Sequence, residues 1–208
     1  RVSVQGEAIV ALSKIGPAAA TAMPRIVELL GEEDIWMHYF EVIRPTSDAI
    51  GGFGAAAQRA YPVFSALADS DDGWVSHVAL HALATIRPND PRVLPHLEQE
   101  LSPPMVGDEE KYYDNTLFED CERLGALAVM LVPTLEHLVN DVPVLDPHVR
   151  VRAAAALVRI DRANKVGVGI RYLRRRAAFE ASNTIWFSYE SASETLDTLA
   201  VEGVIEPE

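Results

Sequence analysis

Cysteine is nearly absent from this chain, since Cys121 is the only one among its 208 residues. A single cysteine excludes a disulfide within the chain and is typical of a reducing compartment. The sequence also lacks an apolar run long enough to span a bilayer and a charged-then-apolar leader. We therefore expect a cytoplasmic protein without membrane contact. The chain begins at Arg1, already close to a helix, and we expect it to be part of a longer array.

Positive charge is scarce, because 18 Lys and Arg residues face 31 Asp and Glu residues, a net charge of −13. A general nucleic-acid binder needs a surplus of cations to neutralise phosphates, so this balance argues against one. The whole deficit lies in residues 1–145, with 9 basic and 22 acidic residues, whereas residues 146–208 hold 9 of each. Aromatic residues make up only 7%, but 49% of the chain is apolar, which suffices for a continuous core.

An apolar pattern recurs along the chain at the period of two-helix repeats. One copy, residues 146–160, reads DPHVRVRAAAALVRI, in which Asp146 can cap a helix N-terminus and Pro147 suits its first turn. Each copy closes on an apolar anchor, and the anchors lie 38, 33, 38 and 36 residues apart: Ile15, Phe53, Ile86, Leu124 and Ile160. Nine residues after the first four anchors stand prolines: Pro24, Pro62, Pro95 and Pro133. The pattern predicts helix pairs stacked in an array.

The predicted boundaries follow from this alignment. We predict one domain with repeats at about 1–31, 32–70, 71–102, 110–140 and 146–180, and a C-terminal helix at 182–203. Gly16 is expected to end the first helix in a left-handed conformation. Pro24 is expected to delay or kink the second helix, and Pro45 to break the helix in which it lies. Ser182 or Asn183 is expected to cap the C-terminal helix.

The order Asp, Val-Arg, alanine-rich turns and Leu-x-x-Ile resembles the HEAT repeat, in the short bacterial form also found in bilin lyase-like proteins. One copy carries this order at Asp146, Val149, Arg150, Ala153, Ala156, Leu157 and Ile160. A second copy, with Ser76 in place of the arginine, carries it at Asp72, Val75, Ala79, Ala82, Leu83 and Ile86. A third carries it at Val4, Ala8, Ala11, Leu12, Ile15 and Gly16. The resemblance implies an all-α fold, a right-handed α-α superhelix of about five helix pairs plus a C-terminal helix, with the second helices lining a concave binding face.

The second-helix positions outside the packing columns change from repeat to repeat while the packing columns stay apolar. This contrast predicts a mixed polar ridge along which a protein or peptide partner binds. The predicted ridge residues are Arg25, Glu28, Arg59, Arg92, His96, Gln99, Thr134 and His137. The alternative for each of them is an ordinary solvated helix face.

Two histidines invite comparison with a metal site. His77 and His81 lie four residues apart on one predicted helix, and the column of His81 holds Asp48 and Glu119 in neighbouring repeats. Packed helix axes lie about 8–10 Å apart, too far for side chains of separate helices to converge without a special arrangement. We therefore predict surface hydrogen-bonded histidines and no metal. The diiron hydroxylases of the resembled family use His-Glu dipeptides, and this chain has none.

No residue pattern indicates catalysis. Cys121 falls in the column that Leu12, Ile50, Leu83 and Leu157 fill elsewhere, so we predict a small buried hydrophobe rather than a nucleophile. A phosphate-binding loop, a Gly-x-Ser-x-Gly elbow and a Cys-x-x-Cys pair are all missing. We predict no catalytic residue and no cofactor.

Three hypotheses for the function remain, and none of them fixes the oligomeric state. The leading hypothesis is a non-enzymatic scaffold that binds a protein or peptide along its concave face. The alternative is a nucleic-acid enzyme resembling the HEAT-like DNA glycosylases. Such an enzyme needs a basic groove with aromatic residues, and part of this is present in the basic residues 150–176 and in Trp36, Trp74 and Trp186. Those basic residues either touch phosphate or neutralise helix ends and nearby acids. A bilin lyase-like subunit is the third possibility and has no residue support.

Overall fold

The structure is a computed structural model that describes residues 2–32, 38–103, 113–140, 146–160, 167–182 and 191–205. Most of these residues are helical, the others lie in turns and loops, and no strand occurs among them. The prediction of an all-α protein is therefore confirmed for the part of the chain that the structure describes.

The α-helices begin and end as follows. The first six are α1 (Val2–Ile15), α2 (Met23–Leu30), α3 (Arg44–Ala49), α4 (Tyr61–Ala68), α5 (Gly73–Ile86) and α6 (Val93–Leu101). The remaining five are α7 (Asn115–Leu124), α8 (Val132–Asn140), α9 (Pro147–Ile160), α10 (Val168–Ser182) and α11 (Ala192–Val201). Tighter 3₁₀ turns cover Gly16–Ala22, Ile50–Ala60 and Gly125–Leu131, and a π-helical turn covers Tyr39–Ile43.

Four of the five predicted anchors are residues at which first helices end, and the fifth, Phe53, lies in the 3₁₀ segment Ile50–Ala60. Helices α1, α5, α7 and α9 terminate at Ile15, Ile86, Leu124 and Ile160. In three repeats the next residue is a glycine with positive φ, at Gly16 (81°), Gly54 (57°) and Gly125 (52°). Left-handed backbone is readily available only to glycine, so these residues turn the chain into the second helix. The prediction for Gly16 is confirmed, and the same chemistry recurs in two further repeats.

The second helices change type at the proline column. Three of them begin with 3₁₀ turns and become α-helical one residue before Pro24, Pro62 or Pro133. Each proline thus lies in the first turn of an α-helix, where its missing N–H is not needed. The delayed start predicted at Pro24 is confirmed, and its physical cause applies equally to the other two prolines.

Pro45 does not break its helix, contrary to the prediction. It lies at the start of α3, directly after the π-helical turn Tyr39–Ile43. The wider π turn shifts the hydrogen bonding just before the proline, so the chain continues in helical form. The predicted beginning of this helix falls on residues 33–37, which lie outside the described residues.

Side-chain caps start several helices. Asp72 accepts hydrogen bonds from the N–H groups of Trp74 (2.9 Å) and Val75 (3.3 Å) at the start of α5. Asp146 accepts one from His148 (2.7 Å) at the start of α9, as predicted. At the C-terminal helix the prediction is wrong for Ser182, which is the last residue of α10. The cap of α11 is Ser191, whose hydroxyl accepts from the N–H of Glu194 at 3.0 Å. Asn183 lies outside the described residues.

The chain divides into two compact units, Arg1–His96 and Leu97–Glu208. In the first unit, α1 packs on α3 and α3 packs on α5, while the 3₁₀ turns of the first two repeats pack on each other. In the second unit, α9 packs on α7 and α8, and α10 packs on α9 and α11. Each unit is therefore a stack of neighbouring helix pairs with its apolar residues between them.

Candidate functional site

The predicted ridge residues of the first unit fall into two groups, one exposed to solvent and one half-buried. Arg25 is exposed on α2 and forms ion pairs with Glu28 (3.0 Å) and Glu32 (3.8 Å), which are also exposed. Arg59 is exposed in the second repeat. The neighbouring packing positions of α2, such as Ile26 and Leu29, are buried. This half of the predicted ridge is therefore accessible to solvent at three of its residues.

Arg92 is held by groups of its own unit. Its guanidinium donates to Asp90 (2.9 and 3.0 Å), Asp69 (2.9 Å), and the backbone oxygen and hydroxyl of Ser65 (3.0 and 2.8 Å). These bonds join the turn after α5 to α4 and to the residue that follows it. Hydrogen bonding to the guanidinium holds the pKa of Asp90 below its ordinary value. Arg92 thus ties two parts of the fold together, and its donors are used within the chain.

His96 contacts the histidine that the sequence places on α5. The Nδ1 atom of His77 lies 3.1 Å from Nε2 of His96, and the two rings are tilted by 59°. Burial lowers the pKa of His96 to about 4, and His77 adds to this effect. His96 is therefore neutral at physiological pH, and one ring donates a hydrogen bond to the other.

His81 is buried, so the prediction of a surface histidine is wrong for it. Its Nε2 lies 3.5 Å from Oδ1 of Asp48 on α3, and only 5% of its side chain is exposed. The prediction failed because the packing of α3 on α5 covers this face of the helix. Among the described residues, no group of three or more His, Cys, Asp or Glu side chains could hold a metal ion.

The second unit carries the remaining predicted ridge residues. Gln99 is exposed on α6, His137 is exposed on α8, and Thr134 is half-buried one turn before His137. The packing positions Leu135 and Leu138 of α8 are fully buried. Within this unit, too, the polar residues predicted to point outward and the apolar residues predicted to pack are on different sides of the helix.

Most arginines of the basic stretch that have described contacts are paired with carboxylates. Arg152 donates to Glu119 of α7 at 2.9 Å. Arg159 donates to Glu122 of α7 at 3.0 Å and binds Glu202 with two further bonds of 3.1 and 3.2 Å. Arg176 donates to Glu180, one turn further along α10, at 2.8 Å. These ion pairs favour charge neutralisation over phosphate contact for these three arginines.

Cys121 is buried and unreactive. The residue has no exposed surface, and burial raises the pKa of its thiol well above the ordinary value. Nucleophilic catalysis and oxidation need an accessible thiolate, which this environment disfavours. The prediction of a small buried hydrophobe is confirmed.

A cleft in the first unit was not predicted from the sequence. It has a volume of about 540 Å³ and lies between α1 and the segment that contains the π turn and α3. Its lining includes Lys14, Phe40, Arg44 and Asp48, and 75% of Phe40 is exposed. Its lining thus combines two cations and a carboxylate with an exposed phenyl ring. The cleft depends on the helix that continues through Pro45, so the predicted break concealed it.

Comparison with known proteins gives no relative: no family model, curated protein or solved structure matches the chain. The HEAT resemblance therefore remains a hypothesis based on the residues themselves. Within the part of the chain that the structure describes, none of the helices has the length and apolar character needed to cross a membrane.

Proposed function

We propose that this protein is a non-enzymatic HEAT-like scaffold that binds a protein or peptide along the face of its second helices. In this proposal the helix pairs form a right-handed α-α superhelix whose concave face is lined by those helices. One observation carries the proposal. In both units the second helices bury their apolar columns and turn polar residues that differ between repeats toward solvent. Regular packing with a variable outer face is how repeat proteins build extended binding surfaces.

The exposed charges of α2 and of the second repeat are the sharpest place to test this proposal. Arg25 and Arg59 are exposed, so reversing their charges leaves the packing of the core intact. Arg92 is left unchanged, because it ties α4 to the turn after α5. A pair of exposed charges at an interface rim governs partner choice and association rate.

The experiment selects peptides from a displayed random library on the immobilised chain and measures the affinity of the selected peptides by calorimetry. We expect the double variant Arg25→Glu and Arg59→Glu to bind them at least tenfold more weakly, because about 1.4 kcal/mol of lost interaction is a factor of ten. Arg175→Glu, an exposed arginine on α10 that is not among the predicted ridge residues, is the matched control and should bind as the wild type does. Equal affinity for all three proteins would contradict the proposal.

The ion pairs of three arginines count against the nucleic-acid alternative. Arg152, Arg159 and Arg176 are paired with carboxylates, and Trp36 and Trp186 lie outside the described residues. Trp74 is exposed at the start of α5, in the acidic part of the chain. Titration of a DNA duplex at several salt concentrations tests this alternative. Tight binding that weakens steeply with salt would reinstate it, since phosphate contacts release counterions.

A further inference from the structure

Two histidines from different helices bring their ring nitrogens together in the first unit. Nδ1 of His77, on α5, lies 3.1 Å from Nε2 of His96, on α6. Both residues are half-buried and keep part of their surface exposed. His81, which the sequence spacing associates with His77, is buried and contacts Asp48 instead. The fold therefore pairs His77 with a residue of the following helix, which spacing within one helix could not reveal.

The separation of these two nitrogens is that of two ligands of one metal ion. Imidazole nitrogens bind zinc at about 2.0–2.1 Å. Two nitrogens 3.1 Å apart, each at about that distance from an ion, subtend an angle of about 95–100° at it. Octahedral and square ions use angles of about 90°, and tetrahedral ions use about 109°. A metal ion therefore fits between the two rings without a change in the distance between their nitrogens.

The backbone on which each histidine stands is held by contacts within the unit. The hydroxyl of Ser76, next to His77, donates to the carbonyl oxygen of Ala68 at 2.8 Å. One turn before His96, the guanidinium of Arg92 is bound by the side chains and backbone described above. Ligands whose backbone is already ordered cost less conformational entropy when they bind an ion. The two nitrogens are therefore preorganised as a chelating pair.

The chemistry of the pair determines which ions it suits. Imidazole nitrogens bind Zn²⁺, Cu²⁺ and Ni²⁺, whereas Mg²⁺ and Ca²⁺ prefer oxygen ligands. Within the part of the chain that the structure describes, no third His, Cys, Asp or Glu side chain completes a metal-binding group. Water then fills the remaining coordination positions, as in open zinc sites. Residues 1–145, which include the pair, carry a net charge of −13 and attract cations.

We propose that His77 and His96 together bind one divalent transition-metal ion of the zinc, copper and nickel class. The ion takes the place of the proton between the rings, and that proton moves to the other nitrogen of its own ring. With two protein ligands the ion binds reversibly, and more weakly than in a closed zinc site with four. This proposal stands independently of the proposed peptide binding.

Calorimetric titration of Zn²⁺ into the whole 208-residue chain tests the proposal, with excess Mg²⁺ present to occupy scattered carboxylates. The wild type should bind one Zn²⁺ per chain. His77→Gln and His96→Gln should each bind it at least about tenfold more weakly, because the second nitrogen of a chelating pair binds intramolecularly. His137→Gln, at an exposed histidine on α8, is the control and should bind as the wild type does.

The two single variants separate a two-histidine site from other kinds of zinc binding. A wild type that binds no Zn²⁺ at millimolar concentration would overturn the proposal. Weaker binding in only one of the two variants would indicate a site built on a single histidine, which also overturns it. Equal affinity for all four proteins would place the ion elsewhere and has the same consequence. Circular dichroism should give the same helix content for all four proteins.

A measurement on the wild type alone does not depend on the folding of any variant. Cu²⁺ binds imidazole and broadens the NMR signals of nuclei close to it. With less than one Cu²⁺ per chain, the amide signals of His77 and His96 should disappear before those of His137 and His148, which lie on α8 and α9. Signals that disappear first at His137 or His148, or uniformly along the chain, would overturn the proposal.

Discussion

Helices α1 and α5 carry the same four apolar residues in opposite environments: Val4, Ala8, Ala11 and Ile15 in α1, and Val75, Ala79, Ala82 and Ile86 in α5. Their spacing is identical, yet all four are exposed in α1 and buried in α5. Local sequence therefore does not determine burial here. Packing determines it, because α3 and α4 pack on α5 and cover these positions.

The largest expected effect comes from one substitution made in both helices. Ala79→Glu places an unpaired carboxylate at a position with no exposed surface, so we expect it to lower the free energy of unfolding by about 4 kcal/mol or more. Ala8→Glu, at the equivalent exposed position, should change that free energy by less than about 0.5 kcal/mol. Urea unfolding measures both. Similar losses for the two variants would show that Ala8 is also covered.

The next largest effect concerns Arg92, which ties α4 to the turn after α5. Arg92→Met removes the tie between α4 and the turn after α5 and leaves Asp90, whose side chain is 1% exposed, without its cation. We expect a loss of about 3 kcal/mol, as is usual when one partner of a buried ion pair is removed. Arg59→Met, at an exposed arginine, is the control and should lose less than about 0.5 kcal/mol. Equal unfolding midpoints for the two variants would show that Arg92 contributes nothing to this contact.

The smallest expected effect is a pH-dependent loss of stability caused by His96 of α6, which contacts His77 of α5. The pKa of His96 is about 4 in the folded protein against an ordinary value of 6.5. As the pH falls from 6.5 towards 4, the unfolded chain takes up a proton that the folded protein does not, so stability decreases. His96→Gln should remove about 2 kcal/mol of this decrease.

Thermal unfolding between about pH 7.5 and about pH 4 is the measurement. The exposed His137→Gln is the control and should follow the wild-type curve. Asp90 does not obscure this window. Its pKa is lowered from 3.8, so its contribution is present above that value and is lost only as the pH falls further. Parallel curves for wild type and His96→Gln would show that His96 does not cause the loss of stability at low pH.

Local chemistry made most of the helix ends predictable from the sequence. Gly16, Pro24 and the cap at Asp146 act within a few residues of the chain, and the structure shows them as expected. Pro45 was mispredicted because the effect of a proline depends on the helix type before it. A π turn is not encoded by any pattern we can recognise in residues 39–43.

Side-chain roles were harder to predict, because they depend on contacts distant in sequence. Arg92 was assigned to an open ridge, yet its partners Ser65 and Asp69 lie 27 and 23 residues away. His81 was assigned to the surface and is covered by α3. Charge pairing within a fold has no periodicity, so the apolar columns could not reveal which polar residues were already engaged. The predicted ridge as a binding site remains a prediction.

Gly6, on the buried side of α1, determines how closely the following segment can approach. A Cβ atom at this position would overlap the carbonyl oxygen of Glu41, so the π turn Tyr39–Ile43 lies against α1 only while residue 6 has no side chain. The equivalent position of α5 is His77, whose ring reaches His96. The same position of a first helix thus admits a neighbouring backbone in α1 and makes a side-chain contact in α5.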